Sequence, residues 1–368
     1  MRVEPSQLVP GCILLNEVKG KSNRPIVSKD TILTENHITI LTKFLVESVE
    51  VSTKLSGGEE FQPKQVHKKE KNQDVKPDIQ AGLEKIAFKD HYRKAVSEYK
   101  EQYQKWKNSM PIDIPTVRKI IIPLLEQSEA VTPEEIFSLH KYVEKNDYTY
   151  YHSVAVSVIS AFLGRKMGFS KGEWLQIGLA GLLCDCGMAR VTSDIIFKAG
   201  PLTAREYDEI KNHPTYSYRM VENLPTITLG VKLAVLQHHE RVDGNGYPLG
   251  IKNDKIHKFA KVIAVADMYH AMTSDRIYIG KQSPFKVIEE IQKEQYLKFD
   301  SQVVTCFLES LSNISIGTRV TLTNKKSGEI VFVKPDKPTR PMIRLEGSDE
   351  IIALEQMPEL YIEEVSGS

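Results

Sequence analysis

The segment His238-His239-Glu240-Arg241-Val242-Asp243-Gly244-Asn245-Gly246-Tyr247-Pro248 runs two adjacent imidazoles into a turn that cannot continue a helix. Imidazoles ligate metals and exchange protons near neutral pH. Neighbouring residues on a helix point about 100° apart, from roughly 3.6 residues per turn, so consecutive histidines do not easily share one ion but can flank a pair. Asp243-Gly244-Asn245-Gly246 admits positive φ and Tyr247-Pro248 stiffens the exit, setting a loop of fixed shape beside the histidines. A lone histidine at a helix end would be an ordinary structural feature. Here six of the ten histidines (His152, His213, His238, His239, His257 and His270) fall between residues 152 and 270. In the same span Asp185 follows the apolar run 179–184 and Asp267 follows 262–266. A buried carboxylate without a partner is strongly penalised or driven to protonate, so cations are the expected partners of both. Ion pairs with Arg190 or Arg276 are the alternative.

Five motifs in order give this span, from about 147 to 300, its resemblance to a known family. They are Tyr148 to His152, Cys184-Asp185-Cys186-Gly187, Lys198 to Glu206 leading into His213-Pro214, the loop ending Gly246-Tyr247-Pro248, and Asp267 followed by Thr273, Arg276 and Tyr278. The arrangement resembles the HD-GYP domain, a branch of the HD metal-dependent phosphohydrolases. The resemblance implies a mainly helical domain that binds two, sometimes three, iron or manganese ions and hydrolyses cyclic di-GMP to pGpG or GMP. The implied metal ligands are His152, Asp185, His213, His238, His239 and Asp267. Asp185 would bridge two ions roughly 3.5–4 Å apart and is the catalytic centre, the ions binding a phosphodiester oxygen and activating water for in-line attack. Arg276, Tyr247, Gly246 and Arg190 are the implied substrate contacts, Arg276 first because its planar fork suits phosphate.

The sequence departs from the family at the doublet that names it. Cys184 stands where the histidine before the bridging aspartate is expected, and enters the expected ligand set as a thiolate, which would favour zinc over iron or manganese. Met188 stands where many members have lysine, His270 where an aspartate is expected, and Ile279 where a basic residue often follows Arg-x-Tyr. Four cysteines, at positions 12, 184, 186 and 306, make no disulfide framework; Cys186 reads as core.

Lys plus Arg number 49 against 48 Asp plus Glu, so no global field draws the chain to duplex DNA or RNA or to an anionic membrane. No apolar run approaches the roughly 20 residues of a membrane span, and the first residues lack a signal-peptide core, so the expectation is a cytoplasmic protein. Residues 1–60 alternate short apolar runs with Gly, Pro and Asn, one helical stretch falling near Ile38 to Leu45, and read as a small α+β module. Residues 61–125 comprise a charged linker, 61–80, and an amphipathic helix over 78–108 with Leu83, Ile86, Ala87, Tyr92, Ala95, Tyr99, Tyr103 and Trp106 on one stripe. That stripe is a packing face or a homodimer or partner surface. Residues 126–311 hold the phosphohydrolase domain, and 312–368 read as a small β-rich module of five or six strands.

The fold class is therefore mainly α, with a small module at either end. Two functions fit: a metal-dependent cyclic di-GMP phosphodiesterase, or a catalytically silent receptor for that nucleotide or a protein partner. Hydrolysis of another phosphate ester by the same metals also stays open, since a fold and a metal site do not fix a substrate.

Overall fold

The computed structural model describes all residues except 4, 20–24, 36, 39–40, 42–45, 47, 64–86, 197, 199, 277–279, 295–297, 312–315, 335–336, 349 and 367–368. Most of the helix expected at 38–45, most of the linker at 61–80, Leu83, Ile86, Tyr278 and Ile279 lie outside the described residues. The chain divides into two compact units, Met1–Gly82 and Leu83–Ser368.

In the first unit β1 (Arg2–Val3) pairs antiparallel with β4 (Val49–Glu50), and β2 (Val18–Lys19) with β3 (Pro25–Val27). Such short strands cannot stabilise themselves. They close over a core of Leu8, Cys12, Leu14, Leu33, Leu41 and Val51, which makes Cys12 a buried small hydrophobe.

The second unit opens with α1 (Phe88–Lys107) and α2 (Ile114–Gln127), the latter carrying Pro at its first turn where the missing N–H costs nothing. Tyr92, Ala95, Tyr99, Tyr103 and Trp106 of α1 are all buried. The Tyr92 hydroxyl donates to the Tyr151 carbonyl at 3.0 Å and that of Tyr99 to the Leu182 carbonyl at 3.2 Å. The aromatic stripe thus closes on this chain's own helices, the packing face that was one of its two expected roles.

A short helix, α3 (Pro133–Phe137), leads to α4 (Tyr148–Lys166), whose residues from Tyr150 to Gly164 are buried on every side. A helix that is buried all round belongs at the centre of a bundle, and α4 is the axis on which α5 (Lys171–Leu183) and the later helix over Lys258–Thr273 pack. Ser170 and Glu173 form a capping box that starts α5, and Thr203 and Glu206 form another that starts α6 (Ala204–Lys211). The Lys198–Glu206 stretch of the sequence motif is therefore a helix start, with Lys198 Nζ 2.6 Å from the Glu206 carboxylate. Then come α7 (His213–Val221), α8 (Leu229–Gln237), α9 (Lys258–Thr273), α10 (Pro284–Glu294) and α11 (Ser301–Leu311). No helix among the described residues is long and apolar enough to cross a membrane.

The C-terminal module is a five-stranded antiparallel sheet in the order β8-β7-β6-β5-β9, formed by β5 (Arg319–Leu322), β6 (Ser327–Lys334), β7 (Lys337–Leu345), β8 (Ile351–Ala353) and β9 (Ile362–Ser366). Its inner face, Val320, Leu322, Ile330, Ile343 and Leu345, packs with Phe285 of α10. Arg340 forks onto Glu289 of α10 at 2.5 and 2.7 Å, so a bidentate ion pair fixes the sheet to the helices. The expected fold class, a mainly helical chain with a small module at either end, is the one observed.

Candidate metal centre

Helix ends supply most of the polar groups that meet inside the second unit. Asp185 lies just past the end of α5, at the start of a 3-10 turn over Cys186–Arg190. His213 is the first residue of α7, and His238 and His239 follow the last turn of α8. His152 and Asp267 come from within α4 and α9. Helix termini leave backbone groups unpaired, so imidazoles placed there can bond a carbonyl with one nitrogen and turn the other inward.

His213 and His238 do this. The Nδ1 of His213 lies 2.7 Å from the Ile210 carbonyl and that of His238 2.9 Å from the Val235 carbonyl. A carbonyl only accepts, so both Nδ1 atoms carry the proton and both Nε2 atoms present lone pairs. Those two Nε2 atoms stand 3.2 Å apart, and Asp185 Oδ1 lies 3.1 Å from the first and 3.4 Å from the second. Three electron-rich atoms converge with no hydrogen between them in these tautomers. A positive centre, a proton or a cation, has to sit among them.

The second half of the site shares Asp185. His152 Nε2 is 2.9 Å from Asp267 Oδ1 and 3.5 Å from Asp185 Oδ2, and His239 Nδ1 is 3.7 Å from Asp267 Oδ2. The donor atoms form two groups able to hold an ion, Asp185 with His213, His238 and His239, and His152 with Asp185 and Asp267. Asp185 is common to both. Nitrogen and carboxylate donors in this mixture suit iron, manganese or zinc better than calcium or magnesium.

Burial works to raise the carboxyl pKa of Asp185, yet the facing His213 and His238 rings outweigh it and hold the group well below the usual carboxylate range. Asp267 behaves likewise: its contact with His152 Nε2 outweighs its desolvation and holds the group far below the usual carboxylate range. Burial, reinforced by His238, drives the His239 pKa far down and keeps that ring neutral, the ligating form.

Cys184 is not in either donor group. Its thiol donates to the Gly181 carbonyl at 3.2 Å, back into α5, and burial with the nearby Asp185 charge raises its pKa well above that of a free thiol. The expected thiolate ligand is therefore corrected to a neutral, buried thiol one residue away. Cys186 is core, fully buried, its thiol pushed up to about 12 by burial.

Arg190 is likewise placed elsewhere. Its Nη1 donates to Ser109 Oγ at 2.7 Å in a separate pocket, which removes it both as a partner for Asp185 and as a contact at the metal centre. Arg276 stays near. Its guanidinium lies 4.7 Å from the Tyr148 ring centroid and bonds the Ala271 carbonyl, while Asp275 pairs with Lys145 and Glu289 with Arg340. The Tyr148 hydroxyl in turn is 3.2 Å from His152 Nδ1.

Gly246 and Tyr247 adjoin the cluster. The Tyr247 ring stacks on His239 with centroids 4.7 Å apart and planes at 27°. A side chain at Gly246 would place its Cβ 2.3 Å from the Arg241 nitrogen, so the loop can fold this tightly only with glycine there. Glu240, almost wholly buried, accepts from the Leu249 and Ile251 amides at 2.6 and 3.1 Å and pins the far side of the loop. Beside the cluster this loop borders a cavity of about 370 Å³ lined by His239, Tyr247, Tyr207, Lys211, Arg241 and Lys298, among others.

Several of these residues were not singled out from the sequence. His270 registered only as a departure, yet its Nδ1 lies 3.0 Å from His152 Nδ1 and so orients that ring. Ser217 donates to the Cys184 carbonyl at 2.6 Å and accepts from the Gly187 amide at 2.7 Å, fixing the turn that carries Asp185. Tyr207 and Lys211 had a readable signal in their four-residue spacing two residues before His213, and the ammonium does sit over the ring at 4.5 Å. His257 is no part of the cluster; its side chain caps α9.

Comparison with known proteins agrees with this geometry. Residues 144–303 match the family described as HD domain, and all six clustered residues fall inside that span. This segment is an HD domain. The chain is 34% identical over 199 residues to a cyclic di-GMP phosphodiesterase of Pseudomonas aeruginosa, covering 54% of this chain and 48% of that protein. It is 34% identical over 163 residues to a cyclic di-GMP phosphodiesterase of Thermotoga maritima, covering 44% of each. A 3'3'-cGAMP-specific phosphodiesterase 1 of Vibrio cholerae is 31% identical over 190 residues, 49% of this chain and 43% of that one. The chain thus spans about half the length of the curated relatives it matches. Among solved structures, a protein of Bdellovibrio bacteriovorus titled an HDG"Y"P protein superposes with a TM-score of 0.51 at 12% identity, over 85% of this chain and 99% of that one. At that identity the likeness speaks for the fold of the HD domain and its surroundings.

Proposed function

We propose that the HD domain is a metal-dependent phosphodiesterase that hydrolyses cyclic di-GMP to pGpG or GMP, acting in the cytoplasm where such messengers are made. The observation that carries this reading is the convergence of the His213 and His238 lone pairs on Asp185, which also faces His152 and Asp267. His213, His238 and His239 with Asp185 would hold one ion, and His152 and Asp267 with the same Asp185 a second, iron or manganese by donor chemistry. Bound there, such ions supply a water of lowered pKa and neutralise the phosphodiester charge.

This chain's own residues do the rest. Tyr247, stacked on His239, and Gly246, which lets the loop pass close, shape the wall that a phosphodiester would meet. Lys211, Arg241 and Lys298 give the adjoining cavity a basic lining for the second phosphate of a cyclic dinucleotide, and Tyr207 offers a flat face for a base. Arg276 is held over the ring of Tyr148, whose hydroxyl reaches His152, and is the guanidinium we assign to substrate phosphate. Names of the relatives support a cyclic dinucleotide as the substrate class, in two cases cyclic di-GMP and in one 3'3'-cGAMP.

The test is hydrolysis of cyclic di-GMP by protein purified without oxygen and supplied with Fe(II) or Mn(II), the linear and mononucleotide products being resolved by chromatography. Metal-dependent product supports the enzyme. Binding of the nucleotide to metal-loaded protein without turnover would select the receptor instead.

A further inference from the structure

A second pocket, of about 400 Å³, lies between the 3-10 turn Cys186–Arg190, α7 and the segment after α1. Arg190 and Arg219, both exposed, line it, with Tyr216 beside them, Ile112 and Met220 as its buried and half-buried apolar wall, and Met110 exposed at its edge. Among the described residues neither guanidinium has a carboxylate partner; Arg190 makes one bond, to Ser109 Oγ, from a residue held at φ +63°. The nearby Glu209 is taken by the Tyr216 hydroxyl at 3.0 Å. Two guanidinium groups without carboxylate partners beside an apolar wall have the chemistry to receive an anion that carries a hydrophobic group.

The two arginines also stand at the far ends of the elements that begin with site residues. Asp185 precedes the turn that ends in Arg190, and α7 starts at His213 and carries Arg219 in its last turn. Midway the two are strapped together, Ser217 Oγ bonding both the Cys184 carbonyl and the Gly187 amide. At position 187 a Cβ would fall 2.3 Å from the His213 carbonyl oxygen, so the pair is in backbone contact.

We propose that this pocket binds a phosphate monoester with an aromatic or aliphatic group, and that an anion clamped by Arg190 and Arg219 tightens the same two elements that hold Asp185 and His213. Occupancy of the pocket and retention of metal are then linked, each favouring the other by the same factor. The site is separate from the phosphodiesterase centre and its test does not depend on turnover.

Phenyl phosphate is the probe, titrated calorimetrically into manganese-loaded full-length protein. The expected result is binding by the natural protein that weakens at least tenfold in Arg190→Gln/Arg219→Gln, with manganese content and circular dichroism unchanged. Arg219→Lys, which keeps the charge but removes the planar fork, should fall between the two. In the same samples, phenyl phosphate should slow the release of manganese to a chelator at least twofold in the natural protein and not in the double variant. Equal isotherms for the natural protein and the double variant, or no binding by either, would overturn the site. Binding by the natural protein that leaves its own manganese release unchanged would overturn the linkage.

Discussion

The Nε2 atoms of His213 and His238 face each other at 3.2 Å while the opposite nitrogen of each ring is committed to a backbone carbonyl. Two imidazoles held in this way have no proton to share, and the Asp185 oxygen beside them adds a third lone pair. The backbone at the ends of α6 and α8 therefore builds an electron-rich point before any ion arrives. Such preorganisation by groups bonded to the far nitrogen is how a protein fixes both tautomer and aim of a metal-binding histidine.

Asp185 is the residue whose loss separates this arrangement from an ordinary polar core. Asp185→Ala should remove at least half of the bound manganese or iron and lower turnover by about a thousandfold or more, since both donor groups lose their shared member. Helical content by circular dichroism should stay the same. Metal analysis showing both ions retained in full would reject the bridging role.

Cys184 gives the opposite expectation. Its thiol bonds the Gly181 carbonyl and points away from both donor groups. Cys184→Ala should leave the metal stoichiometry of the purified protein unchanged and cost only about 1 kcal/mol of stability, the scale of a small change in a packed site. A fall in metal content would restore the thiolate to the ligand set.

How much of this was legible in the chain differs from residue to residue, and the reason is physical. His152, Asp185, His213, His238, His239 and Asp267 could be assembled because ordered motifs constrain which side chains meet, and the structure brings all six together. The sequence could not say which way a side chain one position off the motif would turn. Cys184 and Arg190 both adjoin the Asp185 turn, yet one folds back into α5 and the other reaches Ser109. Partners from distant segments were equally hidden: His270 meets His152 across 118 positions of chain, and the aromatic stripe of α1 finds its cover on helices not yet placed. Mainly helical character with small modules at the ends was readable because periodicity and turn residues are local; which face is solvent is not.

Gly246 and Glu240 hold the loop that carries Tyr247, and each should fail in its own way. Gly246→Ala would force the Arg241 nitrogen and the Glu240 Cα from 2.3 and 2.4 Å, a clash with backbone that no rotamer relieves. A loss of about 2–4 kcal/mol in urea unfolding, or a loop that opens and a KM raised tenfold or more, is expected. Glu240→Gln keeps one acceptor oxygen where the carboxylate now serves two amides, so it should lose about 1–3 kcal/mol. Natural stability and KM in Gly246→Ala would show that the loop has room the geometry denies.

His140 carries a pH dependence that can be isolated from the site. Its Nδ1 bonds the Phe137 carbonyl at 2.9 Å, and burial, with Lys141 and Lys281 adding repulsion, lowers its pKa from 6.5 to about 4. The folded chain thus resists taking the proton, whereas the unfolded chain accepts it from about pH 6.5 downward. The neutral ring's contribution is fully present above pH 6.5 and is lost as the pH falls towards 4, on the order of 3 kcal/mol in all. His140→Gln, whose amide can still donate to Phe137, removes that titration and leaves the metal-site histidines as they are. Urea unfolding at pH 7.5 and pH 4.5 should show the natural protein losing about 2–3 kcal/mol more than the variant between the two conditions. Equal losses would mean that the ring is already solvated enough to charge in the folded state.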